Sequence, residues 1–352
     1  MNKLNYTTKD RLERLYSGKP IDRVPFMALP SLFSGSFSKL SSHEYFLNPN
    51  TSYESQVKTI EYLGSDDSPG FDLPGWIGWD FGSDLYFSEE IGIKVPYCKS
   101  KPVESLSDAY NLKAPNLETA QGFRKRLEFY ELAIRDGHSV SLPAGSPTEI
   151  LAHLVDTSLL LRWYAKEKEA IHHMLSVVTA YIMEMEDFYI KYFGIENCSA
   201  YSSYPFDSNS IISPRVFETI SLPYILEIHS HLFDVGVKSF LIHLCGNHRL
   251  NLPYFEKMHL PTKSTISVDE SMDMSDMSNF WGPNYVLMGN VPTSLLLSGT
   301  YESVYEYCKQ LLTSYKNRDG GFILSPSCDL PPDTPIDNLF AMKKAVEDYG
   351  VF

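Results

Sequence analysis

Short apolar runs alternate with helical patterns along most of this chain, and this alternation limits the possible folds more than any other feature. The runs cover residues 23–29, 139–145, 198–204, 240–242, 264–269, 284–291 and 321–325. Each run ends in Gly, Asn, Pro, Asp or Glu before a helical stretch. No antiparallel hairpin signal interrupts these βα units, so they predict an α/β fold with a parallel sheet. About eight such units indicate one closed (β/α)8 barrel, and we expect residues 1–352 to form a single domain.

Residues 30–100 interrupt this rhythm with a segment rich in Ser, Gly, Asp and aromatic residues around Trp76. Loops so dense in aromatic and acidic groups are unusual as connectors, which favours a loop-rich cover over an active site or a docking surface. The alternative is an ordinary excursion that is packed by its own aromatic residues. Asp80 and Asp84 in this segment are candidates for contact with a substrate or cofactor, as is Asp207 in a later loop.

The charge balance of the chain limits its partners. With 30 basic and 44 acidic residues the formal charge is −14, which would repel a phosphate backbone and gives no basis for nucleic-acid binding. We find no run of about 18 apolar residues and no apolar core of a signal peptide at the start of the sequence. We therefore expect a cytoplasmic protein, not associated with a membrane, whose partners are small molecules or proteins. Whether it forms an oligomer stays open.

An imidazole and a thiol follow the apolar run at 240–242. His243 and Cys245 are two residues apart, so both side chains point to the same face of an extended backbone. Histidine nitrogen and cysteine sulfur are preferred zinc ligands, and Gly246 allows a sharp turn directly after them. We propose Cys328 as the third ligand, because it also follows a short apolar run and strand ends share one rim of a barrel.

A set of two Cys and one His with an exchangeable fourth position is typical of catalytic zinc, and the wide spacing of Cys328 favours catalysis over a structural site. The alternative is that these residues are packed and hydrogen bonded at strand ends. The remaining cysteines, Cys98, Cys198 and Cys308, are assigned to packing, since five sparse cysteines do not indicate a disulfide framework. His248 lies close enough in sequence to support a metal ligand.

The sequence also resembles a known family. Residues 12–25, with Gly18 and the stretch Asp-Arg-Val-Pro, resemble the opening of the uroporphyrinogen decarboxylase superfamily. Residues 242–247, 267–273, 286–291 and 320–335 resemble the zinc-dependent methylcobalamin:coenzyme M methyltransferases within that superfamily. The resemblance is loose over residues 1–140 and close over 200–350, and it implies the same barrel.

This resemblance implies a zinc ion held by His243, Cys245 and Cys328, with Glu270 or otherwise Asp269 as a displaceable fourth ligand. It implies transfer of a methyl group between methylcobalamin, carried by a partner corrinoid protein, and a small thiol activated as a zinc thiolate. Zinc removes the proton of a thiol whose ordinary pKa is about 8.5.

The sequence departs from the decarboxylases of the same superfamily. These enzymes carry an Arg-Gln-Ala-Gly-Arg stretch after the first strand that holds substrate carboxylates, whereas the matching residues 29–36 contain no arginine. A decarboxylase acting on a polyanionic tetrapyrrole therefore becomes the alternative function. Two others stay open: a demethylase component that moves methyl from a methoxy or methylamine donor to the corrinoid, and binding of zinc or corrinoid without turnover.

Overall fold

The computed structural model describes residues 6–352, which fold around a sheet of parallel strands. The strands are β1 (Asp84–Tyr86), β2 (Tyr97–Ser100), β3 (Val140–Pro143), β4 (Cys198–Ser203), β5 (Phe240–Leu244), β6 (Thr265–Val268), β7 (Val286–Val291) and β8 (Phe322–Pro326). Strands β3 to β8 lie side by side in chain order, each parallel to the next, whereas β1 and β2 form a separate antiparallel pair. Sequential parallel strands joined by helices are the arrangement of an α/β barrel, which confirms the predicted fold class.

The helices pack on the outside of this sheet. They are α1 (Thr8–Tyr16), α2 (Ser31–Phe37), α3 (Ser42–Leu47), α4 (Pro49–Leu63), α5 (Trp76–Asp80), α6 (Leu106–Asn111), α7 (Gln121–Arg135), α8 (Pro147–Leu154), α9 (Thr157–Lys166), α10 (Lys168–Phe193), α11 (Pro214–Val216), α12 (Leu222–Val235), α13 (Leu252–Phe255), α14 (Met274–Trp281), α15 (Thr293–Ser298), α16 (Tyr301–Tyr315) and α17 (Ile336–Tyr349). Among residues 6–352, no helix is both long and apolar enough to cross a bilayer.

An N-terminal segment extends the sheet beyond β8. The backbone N–H of Met27 donates to the carbonyl of Leu324 at 3.0 Å, and the N–H of Leu324 donates to the carbonyl of Pro25 at 3.0 Å. On its other side, the N–H of Asp66 donates to the carbonyl of Phe26 at 2.6 Å. The segment therefore occupies a strand position next to β8.

The regular strand predicted at residues 23–29 forms only as isolated bridges, and carboxylates explain why. The N–H of Phe26 donates to a carboxylate oxygen of Asp66 at 2.9 Å. The N–H groups of Ala28 and Leu29 donate to the carboxylate of Asp67 at 2.7 and 3.0 Å. Side chains thus satisfy donors that a neighbouring strand would otherwise bind.

Residues 30–100 contain more regular structure than a loop-rich segment was expected to have. The segment contains α2 to α5 and the antiparallel β1–β2 pair. This pair was not predicted, because its sequence carries no hairpin signal. Two of the polar residues that suggested loops are helix caps: the hydroxyl of Ser41 accepts from the N–H of Glu44, and the side chain of Asn48 accepts from the N–H of Thr51. Helix N-caps and loops use the same residue types, so composition alone did not separate them.

Candidate metal centre

The alternation of β5 points one set of its side chains into a central cavity. Leu241, His243 and Cys245 line this cavity, while Ile242 and Leu244 are fully buried on the other face against the helices. Gly246 then turns the chain with a φ of 85°, a conformation that favours glycine. The strand therefore delivers the imidazole and the thiol to one side, as their spacing predicted.

The structure brings the three predicted metal ligands together. One ligand atom each from His243, Cys245 and Cys328 lie within 4.8 Å of one another. Cys328 reaches the group because it follows the end of β8, which lies on the same rim of the sheet as the end of β5. A group of two thiols and one imidazole is a ligand set that suits zinc.

The ring of His243 is oriented for coordination. Its Nδ1 lies 3.0 Å from the hydroxyl oxygen of Ser267 on β6, and the side chain is 6% exposed. Its Nε2 is buried and has no hydrogen-bond partner. A buried nitrogen without a partner is costly, and a metal ion bound at Nε2 would remove that cost, so the residues present fit a zinc ion.

The two sulfur atoms interact directly. A hydrogen bond with Cys328 lowers the pKa of the Cys245 thiol. The same hydrogen bond, together with burial, raises the pKa of Cys328 to about 12. Metal binding requires both sulfurs as thiolates, so a divalent cation at this point would displace the thiol protons.

The predicted fourth ligand is not part of this group. Glu270 is exposed, and its Oε2 accepts from the N–H of Thr293 at 2.8 Å and from the hydroxyl of Ser327 at 3.0 Å. The carboxylate of Asp269 accepts from the N–H of Ser271 at 2.8 Å. Within residues 6–352, neither carboxylate joins the three ligand atoms. Donors after β6 for Asp269, and after β7 and β8 for Glu270, hold the two carboxylates away from the ligand atoms.

Asp80 was expected to contact a ligand, but the structure places it off the cavity. Its carboxylate accepts from the N–H of Gly122 at 2.6 Å, the N–H of Phe123 at 3.2 Å and the hydroxyl of Tyr181 at 3.0 Å. It therefore caps the first turn of α7. Burial raises the pKa of Asp80 to about 7.

Asp84 and Asp207 also do not line the cavity. Asp84 is an exposed residue of β1. Asp207 is fully buried, and its Oδ1 accepts from the hydroxyl of Thr148 at 3.0 Å. It reaches the cavity only indirectly, because its charge helps to raise the pKa of Glu149.

The remaining cysteines and His248 lie as the sequence suggested. Cys308 is fully buried, Cys198 is 8% exposed and Cys98 is half-buried. His248 is fully buried, and its Nε2 lies 3.0 Å from the carbonyl oxygen of Cys245. It therefore supports the backbone of a ligand.

The cavity has a volume of about 410 Å³, within the range of small-molecule sites. Its walls combine the metal ligands with Trp76, Tyr201 and three carboxyl groups at Asp72, Glu149 and Asp329. Among the described lining residues, Arg126 is the one arginine or lysine.

The carboxyl groups of the cavity interact with one another. Asp72 and Asp329 are accessible to solvent from the cavity although protein surrounds them. Burial, with a further contribution from the charge of Asp72, raises the pKa of Asp329 to about 8. Burial also raises the pKa of Asp72, an effect that the charge of Arg126 opposes. Burial raises the pKa of Glu149 to about 7.

Arg126 reaches the cavity from α7 and is 6% exposed. Its guanidinium lies 4.8 Å from the ring centre of Trp76 and 5.0 Å from that of Tyr130. Its Nη2 donates to the hydroxyl of Tyr130 at 3.2 Å and to the carbonyl of Ser141 on β3. Its Nε is buried without a partner. An arginine in an amphipathic helix usually lies on the solvated face, so a buried position of Arg126 was not predictable from its sequence context.

Known proteins resemble this chain over nearly its whole length. The family model described as Uroporphyrinogen decarboxylase (URO-D) matches residues 7–349. A methylcobamide:CoM methyltransferase, MtbA, of Methanosarcina acetivorans is 24% identical over 98% of both chains. A uroporphyrinogen decarboxylase of Xylella fastidiosa is 23% identical over 96% of this chain and 98% of its own. Enzymes of two kinds thus resemble the chain at similar identity.

A solved structure has the same fold. A methyltransferase from Methanosarcina mazei superimposes with a TM-score of 0.79 at 19% identity, covering 98% of this chain and 99% of the other. The likeness extends over the whole barrel.

Proposed function

The chain belongs to the uroporphyrinogen decarboxylase family, and we propose that within it this protein is a zinc-dependent methyltransferase that moves a methyl group between a corrinoid and a thiol. The corrinoid would be methylcobalamin bound to a partner protein, and the thiol a small molecule in the cavity. The observation that carries this proposal is the group formed by His243, Cys245 and Cys328, with the unpartnered Nε2 of His243 as a free ligand atom.

The charge of the cavity supports methyl transfer over decarboxylation of a tetrapyrrole. A polyanionic substrate requires several cations, whereas three carboxyl groups and a single arginine, Arg126, line this cavity. The stretch that holds arginines in the decarboxylases lies mostly in α2, which is formed by Ser, Leu, Phe and Gly. This stretch thus offers no cation to substrate carboxylates.

The ligand set suits the proposed chemistry. Zinc, when bound, supplies Lewis acidity that lets a substrate thiol lose its proton near neutral pH. His243 and the two cysteines would leave one position open for the substrate sulfur, and two thiolate ligands keep that sulfur electron-rich. Ser267 holds the imidazole in one orientation, so the open position has a fixed direction.

The transfer itself is a displacement at carbon. The substrate sulfur forms a bond to the methyl carbon while the cobalt–carbon bond breaks, and the electron pair stays on cobalt as Co(I). The proton lost by the thiol goes to solvent or to a carboxylate of the cavity. The cavity has the size of a small-molecule site. The corrin, bound to its partner protein, would therefore approach the mouth of the cavity from outside.

The test follows the absorbance of the corrinoid. Zinc-loaded protein is mixed with methylcobalamin and a panel of thiols, and formation of Co(I) or its oxidation product is recorded under anaerobic conditions. We expect methyl loss that depends on thiol and on zinc, that disappears in Cys328→Ala and that persists in Cys98→Ala, a matched cysteine outside the group. Decarboxylation of uroporphyrinogen, or full activity of Cys328→Ala, would contradict the proposal.

A further inference from the structure

Two opposite charges face the cavity without binding each other. Arg126 and Asp72 both line it, and the charge of Arg126 acts on the carboxylate of Asp72. Among residues 6–352, the hydrogen bonds of Arg126 go to Tyr130 and Ser141, and it forms no ion pair with Asp72. Opposite charges in a shared cavity are expected to pair unless something else pairs with each of them.

Arg126 has donors to spare. More than nine tenths of the residue is buried, and its Nη2 already satisfies the carbonyl of Ser141 at the edge of the sheet. That contact gives Nη2 a structural role, whereas Nε is buried and has no partner. A guanidinium that stacks on Trp76 and Tyr130 and lines the cavity is pre-organised to donate to a carboxylate there.

Asp72 has acceptors to spare. Its carboxylate is open to the cavity, and the hydroxyl of Ser31 is the side-chain donor that favours its charged form. Asp329, which follows Cys328 directly, feels the charge of Asp72 and is open to the same space. The cavity therefore presents, beside the metal ligands, two carboxyl groups at Asp329 and Asp72 and one guanidinium at Arg126.

We propose, on the basis of the proposed function, that the thiol substrate belongs to the amino-acid class and carries both an ammonium group and a carboxylate. Its sulfur would bind at the metal ligands, its ammonium group between Asp329 and Asp72, and its carboxylate at Arg126. Short thiols of this class, such as cysteine and homocysteine, hold the three groups in that order. A thiol with one anionic group alone would leave the carboxylates of Asp72 and Asp329 beside each other without a cation.

The test measures binding of four thiols to zinc-loaded protein by calorimetry: L-homocysteine, cationic cysteamine, anionic 2-mercaptoethanesulfonate and neutral 2-mercaptoethanol. We expect L-homocysteine to bind tightest, by about tenfold or more over 2-mercaptoethanol, since each charge-assisted hydrogen bond strengthens binding by that order. Equal or weaker binding of L-homocysteine overturns the proposal.

Two variants separate the contributions. Asp72→Asn should weaken L-homocysteine and cysteamine about tenfold and leave 2-mercaptoethanesulfonate unaffected or tighter, because only the ammonium contact is lost. Arg126→Gln should weaken L-homocysteine and 2-mercaptoethanesulfonate and spare cysteamine. Asp84→Asn, the same change at an exposed site, should alter none of them. If Arg126→Gln fails to fold, the Asp72→Asn pattern alone decides, since the Asp72 side chain is open to the cavity.

The outcome is distinguishable from failure of the proposed function. If 2-mercaptoethanesulfonate binds tightest and demethylates methylcobalamin, the methyltransferase assignment stands and the amino-acid class is wrong. If no thiol removes the methyl group, the methyltransferase assignment is wrong, whatever the order of binding.

Discussion

Ser267 holds the ring of His243 from behind, with its hydroxyl oxygen 3.0 Å from Nδ1. This contact leaves Nε2 as the free nitrogen and fixes the plane of the ring. We expect Ser267→Ala to weaken zinc binding about 10- to 100-fold, as loss of a partner behind a metal-bound histidine does. Competition with a chromophoric chelator measures the change. Ser271→Ala, an exposed serine after β6, is the control, and equal zinc affinity in both variants would contradict the prediction.

Zinc content tests the ligand group itself. Because three zinc ligands lie within 4.8 Å of one another, purified protein should contain about one zinc ion per chain. Cys245→Ala and Cys328→Ala should each lose most of it, whereas Cys98→Ala should not. Elemental analysis after gel filtration gives the ratio. Undiminished zinc in either of the first two variants would exclude this site.

Glu270 allows a sharper test of the fourth position. Its carboxylate is bound to Thr293 and Ser327 instead of joining the ligands, so Glu270→Ala should keep about one zinc ion per chain. A loss as large as in Cys328→Ala, measured in the same preparation, would mean that the carboxylate swings onto the metal.

A buried carboxyl group on α10 predicts how stability depends on pH. Glu186 is fully buried, both of its oxygens lack hydrogen-bond partners, and His231 Nε2 lies 3.9 Å away. Burial raises the pKa of Glu186 well above its ordinary value, so the folded state binds the proton more tightly than the unfolded state. Its contribution to stability is therefore full below the ordinary pKa of about 4.3 and is lost as the pH rises towards the folded value.

Replacing Glu186 with a neutral residue should remove this loss of stability at higher pH. We expect Glu186→Gln to match wild type near pH 4 and to be increasingly more stable than wild type from pH 5 to 8, by about 1 kcal/mol or more at the upper end. Urea unfolding at a series of pH values measures the difference. Glu184→Gln, the same change at an exposed position of α10, should show no such trend.

The positions of the three ligands could be predicted because each depends on local sequence and on one rule of topology. A His and a Cys two residues apart at the end of β5 must share a face, and parallel strands end on one rim. Arg126 could not be predicted in this way. It lies on the buried side of α7 because β3 is the last hydrogen-bonded strand of the six-stranded sheet and leaves the carbonyl of Ser141 to be satisfied by a side chain.

Glu270 failed for a related reason. Its place after β6 was right, but which donor a flexible carboxylate binds depends on Thr293 and Ser327 from other loops. Likewise, the apolar pattern of residues 149–160 predicts one continuous helix, but the structure has α8 and α9 there. The carboxylate of Asp156 accepts from the N–H groups of Ser158 and Leu159 and starts a new helix. A single Asp within an apolar periodic pattern does not by itself reveal that it caps a second helix.

Asp66 and Asp67 bind the N–H groups that a strand next to residues 26–29 would otherwise bind. A ladder of peptide groups can slip by two residues and still be hydrogen bonded, whereas two carboxylates fixed at neighbouring positions match one alignment alone. Two residues, Asp66 and Asp67, thus determine the register of the N-terminal segment. Substitutions among the apolar residues of that segment can alter its packing freely, but they cannot shift it along the barrel.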